Sequence, residues 1–357
     1  MTKIYVNGKF LGAGLNGVHR TAAHYSSLLI EKGRAAGHEV VLLSPLAFAG
    51  DPAFPLLVPE VRPGRFGSSQ GWEMLSLPAL ARGGLLVNFC NLGPILHRNS
   101  VVMIHDAQTF LYPEDYTGRQ AAAYRGLLPV IARSARRVLT VSGFSRESLA
   151  EHRICRAEKI GVIHNGTDHI LDTAPDPAIL EKHGLAGKPF VLVLGSAKGY
   201  KNIRRVFDAM RNAGLGLPLV VAGGAGEEAY RSKGWEPPEG TIFTGFVSDG
   251  ELRALYEAAT VFGFPSQTEG FGLPPVEAMQ CGTPVIAARA GAMPEVCADG
   301  AILVDPEDTD AWRAALQQLT TDPEQNAQWS ARARERAAKL SWAAAGDQLW
   351  KQISALL

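Results

Sequence analysis

Two carboxylates, Glu269 and Glu277, stand eight positions apart in the stretch "PSQTEGFGLPPVEAMQCGTPVIA", with Gly270, Gly272, Pro274 and Pro275 between them. The preceding "ATVFGFPS" reads as a buried strand, and "GLPPVEAM" opens a helix, because proline is tolerated in a first helical turn. The glycines let the chain turn and let a ligand approach the amides of Phe271, Gly272 and Leu273. Those N–H groups carry the positive end of the helix dipole, which suits a phosphate. Glu269 falls in the loop at the strand's C-terminal edge and Glu277 in the first turns of the helix. They cannot share one helix face, so they are expected to contact different parts of one elongated ligand.

Other signals are weaker or negative. "GAGLNG" (Gly12 to Gly17) matches G-x-G-x-x-G between a strand and a helix, and is read as a glycine loop facing an anionic ligand. A dinucleotide site would also need an acid at the end of the second strand, but "HEVVLLSP" ends in Ser44 and Pro45. No G-x-x-x-x-G-K-[ST] is present. Asp308-Thr309-Asp310 has the spacing used for nucleotide-bound magnesium, yet it opens "DTDAWRAALQQL", where Asp and Thr are preferred as helix caps. No metal site is expected. His105 ends the apolar strand "VVMIH", at the edge where α/β folds place ligands.

The elements that would position these groups are short apolar strands alternating with amphipathic helices, the pattern of parallel α/β units. Six such strands precede a polar, proline-containing stretch, "TDHILDTAPDPAILEKHGLAGK", and six follow it. At 357 residues two α/β domains are the expectation: residues 1–168, a linker at 169–187, and 188–340. The last helix, "SWAAAGDQLWKQISALL", presents Trp342, Leu349, Ile353 and Leu356 on one face, with Ser341 as N-cap.

The chain is 46% hydrophobic with a formal net charge of zero, which speaks against a general nucleic-acid binder. Cys90, Cys155, Cys281 and Cys297 lack metal or redox spacing, and are read as reduced thiols of a cytosolic protein. No apolar leader opens the sequence, and no run approaches bilayer-spanning length.

Taken together, these residues resemble a family. "EGFGLPPVE" is similar to the E-x7-E signature of retaining family 4 glycosyltransferases, which have the GT-B fold of two facing Rossmann-like domains with a deep cleft between them. The likeness covers nearly the whole chain, through "IHDAQTFLYPEDY", "VLTVSGFSRESL", "VIHNGTD", "LVLGSAKGYKNIRRVFDAM" and "FTGFVSDGELRALYEAATVFGFPS". "SW" before the last helix resembles the segment that crosses back onto the N-domain, so 341–357 is expected to pack there.

The resemblance implies roles. Glu269 would hold hydroxyls of a donor sugar and Glu277 the ribose of its nucleotide. Gly270, Phe271, Gly272 and Leu273 would face the diphosphate or sugar, with Lys201 neutralising the leaving diphosphate. His105 would approach the donor sugar from across the cleft, and the loop from Gly14 to Gly17 would close near the diphosphate and acceptor. Val247 matches a position whose main chain meets the base. One departure stands out: relatives commonly carry an Arg beside or shortly before this Lys, whereas here the run is Ser196-Ala197-Lys198-Gly199-Tyr200-Lys201. Lys198, Arg204 or Arg205 is left to supply the second charge, and a lysine lacks the bidentate fork of arginine.

The implied activity is transfer of a hexosyl unit, mannose being one candidate, from a nucleotide diphosphate sugar to a saccharide or lipid-linked saccharide. The implied mechanism is same-face and needs neither metal nor cofactor. The N-terminal domain would bind the acceptor through loops such as residues 46 to 82, where no chemistry is readable. "YRGLLPVIARSARRVLTV" reads as an ordinary helix leading into a strand, but contact with the inner face of a membrane stays open because family acceptors are often lipid-linked. Three alternatives stay open as well: a nicotinamide-dependent oxidoreductase, a non-catalytic sugar-nucleotide binding module, and a phosphorylase of the same architecture with pyridoxal phosphate.

Overall fold

The computed structural model describes residues 2–14, 17–64, 66–211 and 214–357. The chain divides into two compact units, Met1–Asn165 with Trp342–Leu357, and Gly166–Ser341.

The first unit holds a seven-stranded parallel sheet: β1 (Lys3–Asn7), β2 (Glu39–Ser44), β3 (Glu60–Val61), β4 (Leu85–Asn88), β5 (Ser100–Met103), β6 (Arg137–Thr140) and β7 (Ile160–Val162). The order across the sheet is β3-β2-β1-β4-β5-β6-β7. Strands such as β4 are buried along their whole length, as expected where helices cover both faces of a parallel sheet. Of the seven, only the two-residue β3 lacks a counterpart among the apolar runs, because both its residues are exposed.

The second unit repeats the plan with six parallel strands: β8 (Val191–Leu194), β9 (Leu219–Ala222), β10 (Ile242–Gly245), β11 (Val261–Phe264), β12 (Val285–Ala288) and β13 (Ile302–Val304). Its order is β10-β9-β8-β11-β12-β13. In both sheets the chain starts in the middle, builds outward to one side, and then returns to build the other. The order therefore reverses between β1 and β4 in one unit and between β8 and β11 in the other. At such a switch point the two neighbouring loops leave in opposite directions and open a crevice at the strands' C-terminal edge.

Residues 169–187, expected as a linker, group with the second unit and carry two short helices, His169–Asp172 and Ala178–Lys182. They are fastened to the helix Asp249–Ala258. The Arg253 guanidinium donates to the carbonyls of Leu171 at 2.7 Å and Thr173 at 2.6 Å, and the Asp176 amide donates to Gly250 O at 2.9 Å. The stretch looks loose in sequence because its buried apolar side chains, Ile170, Ile179 and Leu185, are scattered among polar residues and prolines.

The last helix, Trp342–Ser354, packs in the first unit against the helix Val18–Ala35. Trp342, Leu349 and Ile353 are buried, and the Trp342 ring stacks on His24 with centroids 4.1 Å apart. Lys32 pairs with Asp347 at 2.6 Å along the same seam. Among the described residues no helix is long and apolar enough to cross a membrane.

Candidate functional site

Lys201 and Glu269 meet at the switch point of the second unit. β8 leads through Gly195 into a short 3-10 turn, Gly199–Lys201, and β11 leads through Pro265 and Ser266 to Glu269. The two loops are tied by a backbone bond from Gln267 N to Tyr200 O of 2.8 Å. Lys201 Nζ then lies 2.6 Å from Glu269 Oε1. The ammonium also stands over the rings of Tyr200 and Phe264, 5.5 and 5.8 Å from their centroids, a cation–π arrangement that holds a long side chain in place.

What aims Lys201 is Asn202, which takes the left-handed conformation with φ +50°. Asparagine tolerates that region better than most residues. Its Nδ2 donates to Pro306 O at 2.9 Å, so the turn is locked before the helix Ile203–Arg211 begins. Lys198 opens the same turn, with Nζ 5.7 Å from the Tyr200 ring centroid. Arg205 goes elsewhere: its Nε donates to Pro306 O at 2.8 Å, and its other nitrogens meet Glu307 and Thr309. These partners sit on the loop after β13 and at the start of the helix Thr309–Thr321, so Arg205 fastens that connection rather than joining Lys201.

Glu269 is fixed from its other side by Gly291, whose φ is +57°. A Cβ there would stand 2.7 Å from Glu269 N, so only glycine allows this approach. Gly272 is the N-cap of the helix Leu273–Gln280, with φ +82°. A Cβ on Gly272 would stand 2.3 Å from Met293 Cε. Of the four orphan N–H groups that a helix start leaves, Pro274 and Pro275 supply none. The donors of this first turn are therefore Gly272 and Leu273. Gly270 and Phe271 precede them, with the Phe271 side chain buried beneath the turn.

Glu277 lies further along this helix and has partners of its own. His169 Nε2 is 3.4 Å from Oε1, and the Tyr256 hydroxyl donates to Oε2 at 3.4 Å. Burial pushes the Tyr256 hydroxyl well above its ordinary pKa, with Glu277 adding to the effect. The phenol therefore stays protonated and remains a donor to the carboxylate. The two glutamates occupy different settings, one against a lysine and one against a tyrosine and a histidine. Val247 lies in the loop after β10, half-buried beside the exposed Phe246. Asp308 accepts from Ala311 N at 2.9 Å and caps the helix Thr309–Thr321.

In the first unit, β1 ends at Asn7, and a 3-10 turn, Lys9–Gly12, intervenes before the helix that starts at Val18. This connection is longer than the tight strand-to-helix turn of a dinucleotide fingerprint. Gly14 is exposed, and Gly17 serves as N-cap with φ +45°; Leu15 and Asn16 lie outside the described residues. His105 is buried after β5, its Nε2 2.8 Å from Phe89 O and its amide donating to Asn91 Oδ1 at 2.8 Å. A carbonyl only accepts, so Nε2 carries the proton and Nδ1 is left as an acceptor. Burial lowers the pKa of His105 to about 4, against the small opposite effect of the Phe89 carbonyl, so the ring is neutral at pH 7.

Sequence reasoning missed His169 and Tyr256 beside Glu277. His169 sits in the polar stretch read as a linker, and nothing in "GELRALYEA" sets Tyr256 apart.

The Glycosyltransferase Family 4 model matches residues 15–170, and the Glycosyl transferases group 1 model matches residues 176–336. The chain is 32% identical to O-antigen chain mannosyltransferase B of Escherichia coli over 262 residues, 68% of this chain and 67% of that one. It is 30% identical to O-antigen chain mannosyltransferase RfbU of Salmonella typhimurium over 235 residues, 65% of this chain and 63% of that one. Among solved structures it resembles Anabaena HepE in complex with UDP and glucose, with a TM-score of 0.72 at 20% identity, covering 99% of this chain and 100% of that one. At that identity the likeness speaks for the fold, two Rossmann-like domains of the GT-B kind.

Proposed function

Given that the chain belongs to the family 4 type of glycosyltransferase, with the GT-B fold, we propose that it transfers a hexosyl unit, mannosyl by preference, from a nucleotide diphosphate sugar with retention of configuration. The acceptor is a saccharide or a lipid-linked saccharide. The observation that carries this reading is the Lys201–Glu269 contact of 2.6 Å beside the N-terminus of the helix Leu273–Gln280. The two relatives named mannosyltransferases support the choice of sugar.

Breaking the bond from the anomeric carbon to the diphosphate builds negative charge on the departing phosphate and positive charge on the sugar ring. The Lys201 ammonium and the amides of Gly272 and Leu273 stabilise the first, and Lys198 is near enough in the same turn to assist. Well-aimed preorganised donors are worth roughly 3–4 kcal/mol each. This arrangement neutralises the leaving group with protein charges, so the reaction proceeds without a metal or a cofactor.

Glu269 accepts from hydroxyls of the donor sugar, which exchange for Lys201 as the diphosphate draws the ammonium away. Its negative charge favours the cationic ring. Glu277, steadied by Tyr256 and His169, accepts from the ribose hydroxyls, and the main chain at Val247 meets the base. His105, neutral with Nδ1 as acceptor, takes a hydroxyl of the donor sugar, and Gly14 and Gly17 serve the diphosphate. The departing phosphate oxygen accepts the proton of the attacking hydroxyl, so no separate base is required.

The test is transfer from GDP-mannose to a mannoside by the purified protein in EDTA, with the anomeric configuration of the product read by NMR. An axial linkage matching the donor supports the proposal. An inverted linkage, or turnover that disappears with EDTA and returns with magnesium, contradicts it.

A further inference from the structure

The first unit contains a cavity of about 810 Å³, within the range of ligand pockets. Its wall includes Arg133, at the end of the helix Gly118–Ser134, and the segment Arg153–Lys159, which leads straight into β7. Both stretches enter their strands, β6 and β7, from the N-terminal side. The cavity is therefore at the edge of the sheet opposite to His105, away from the C-terminal edge where α/β folds bind their usual ligands.

Four cationic side chains line it, Arg133, Arg153, Arg156 and Lys159, against one carboxylate, Glu158. Lys159 is occupied. Its Nζ donates to the carbonyls of Ala132 at 2.8 Å and Arg133 at 2.9 Å, and so compensates the negative end of the helix Gly118–Ser134. The three arginines are exposed and, among the described residues, their guanidinium groups have no hydrogen-bond or ion-pair partner. Arg153 is not needed as a cap. It takes the left-handed conformation, φ +57°, one residue past the C-cap His152 of the helix Gly143–Glu151. There its amide donates to Ala150 O at 2.9 Å, and that of Ile154 donates to Leu149 O at 3.0 Å. Those bonds close the helix end through the backbone alone, and glycine is the usual residue at this position. Ile154 is 2% exposed and sits in the core, while Lys159 N donates to Arg156 O at 3.0 Å. Arg153 and Arg156 are thus carried by a fixed segment, on either side of a buried anchor.

Three uncompensated guanidinium groups around one concavity repel one another, and an oxyanion relieves that repulsion. The guanidinium fork matches phosphate oxygens in geometry. A bare phosphate fills only a fraction of this volume, so the cavity suits a phosphate that carries a further group. We propose that this cavity is a second anion site, which takes an organic phosphate or a diphosphate through Arg133, Arg153 and Arg156. A soluble phosphate ester and the headgroup of an acidic phospholipid present the same chemistry to it. The site does not depend on the transfer reading above.

The experiment is calorimetric titration of the full chain with sodium pyrophosphate, alongside Lys201→Ala, since the proposed donor site also takes a diphosphate. Saturable binding that persists in Lys201→Ala and weakens about tenfold or more in Arg153→Gly and in Arg156→Gln is the expected result. Glycine suits the left-handed conformation, so Arg153→Gly removes the guanidinium without straining the fold, and a merely structural arginine there would leave binding unchanged. Co-sedimentation with vesicles of phosphatidylglycerol in phosphatidylcholine, and of phosphatidylcholine alone, separates the two sources. Capture by the acidic vesicles only, lost in the same two variants, assigns the site to a lipid headgroup. Pyrophosphate binding without capture assigns it to a soluble phosphate. Binding that both variants leave unchanged, pyrophosphate binding that disappears in Lys201→Ala with no vesicle capture, or no binding of either probe overturns the proposal.

Discussion

Lys201 Nζ lies 2.6 Å from Glu269 Oε1 although the two residues are brought in by different strands, β8 and β11. Those strands are neighbours at the point where the sheet order reverses. The contact joins the carboxylate proposed for the sugar to the principal ammonium proposed for the phosphate. Removing either should damage the same step. Lys201→Ala and Glu269→Ala are each expected to lower kcat by roughly 10²- to 10³-fold. Because the two are in contact, the double variant should lose much less than the product of the two effects. Steady-state kinetics of the three variants checks this, and full multiplicativity would contradict the coupling.

Glu277 should behave differently. Its partners are Tyr256 and His169, both on its own unit and neither part of the lysine pair. Glu277→Ala is expected to raise the donor KM about tenfold or more with a small change in kcat. His169→Ala should do the same more weakly, since it steadies the carboxylate without replacing it. A pure kcat loss in Glu277→Ala would contradict the ribose role.

Gly291 tests whether the loop geometry around Glu269 is required. Alanine at φ +57°, with its Cβ 2.7 Å from Glu269 N, meets backbone that cannot rotate away. Gly291→Ala is expected to destabilise by roughly 1–3 kcal/mol, and to lower kcat in the protein that remains folded. Thermal unfolding and kinetics at a temperature well below the midpoint separate the two effects. Unchanged stability would show that the loop adjusts freely.

His105 predicts a pH dependence. Its folded pKa of about 4 lies below the ordinary value of 6.5, so between these values the unfolded chain binds more protons. Stability therefore falls as the pH drops from 6.5, and the loss is complete below about pH 4. For a group this buried the effect is roughly 3 kcal/mol. Comparing wild type with His105→Asn across that window isolates it from other carboxylates and histidines, and the variant should show the flatter profile. Parallel profiles would mean that burial does not lower the His105 pKa in the folded protein.

Much of the fold was legible because parallel strands buried on both faces are written as continuous apolar runs, and every strand except β3 had one. The glycine-proline pattern from Gly270 to Pro275 announced a helix start, and its physical consequence, donors at Gly272 and Leu273, follows from which residues lack an N–H. Less legible were contacts made across long sequence separations by ordinary-looking residues. Nothing in "SAKGYKN" says that Arg205 will be bound to Pro306, Glu307 and Thr309, or that Asn202 will take a left-handed conformation to aim Lys201. His169 was hidden by the polar stretch around it, since helices of four and five residues with one buried isoleucine each, Ile170 and Ile179, leave no readable apolar period.

The central claim is that the second unit holds a nucleotide diphosphate sugar through Lys201 and the helix beginning at Leu273. Thermal unfolding with GDP, UDP, dTDP and NADH in the presence of EDTA tests it most directly. A ligand at a hundredfold over its Kd adds roughly 2.7 kcal/mol. A rise of several degrees with GDP in EDTA, diminished in Lys201→Ala, is the predicted result. Silence with all three diphosphates and a rise with NADH would contradict the account.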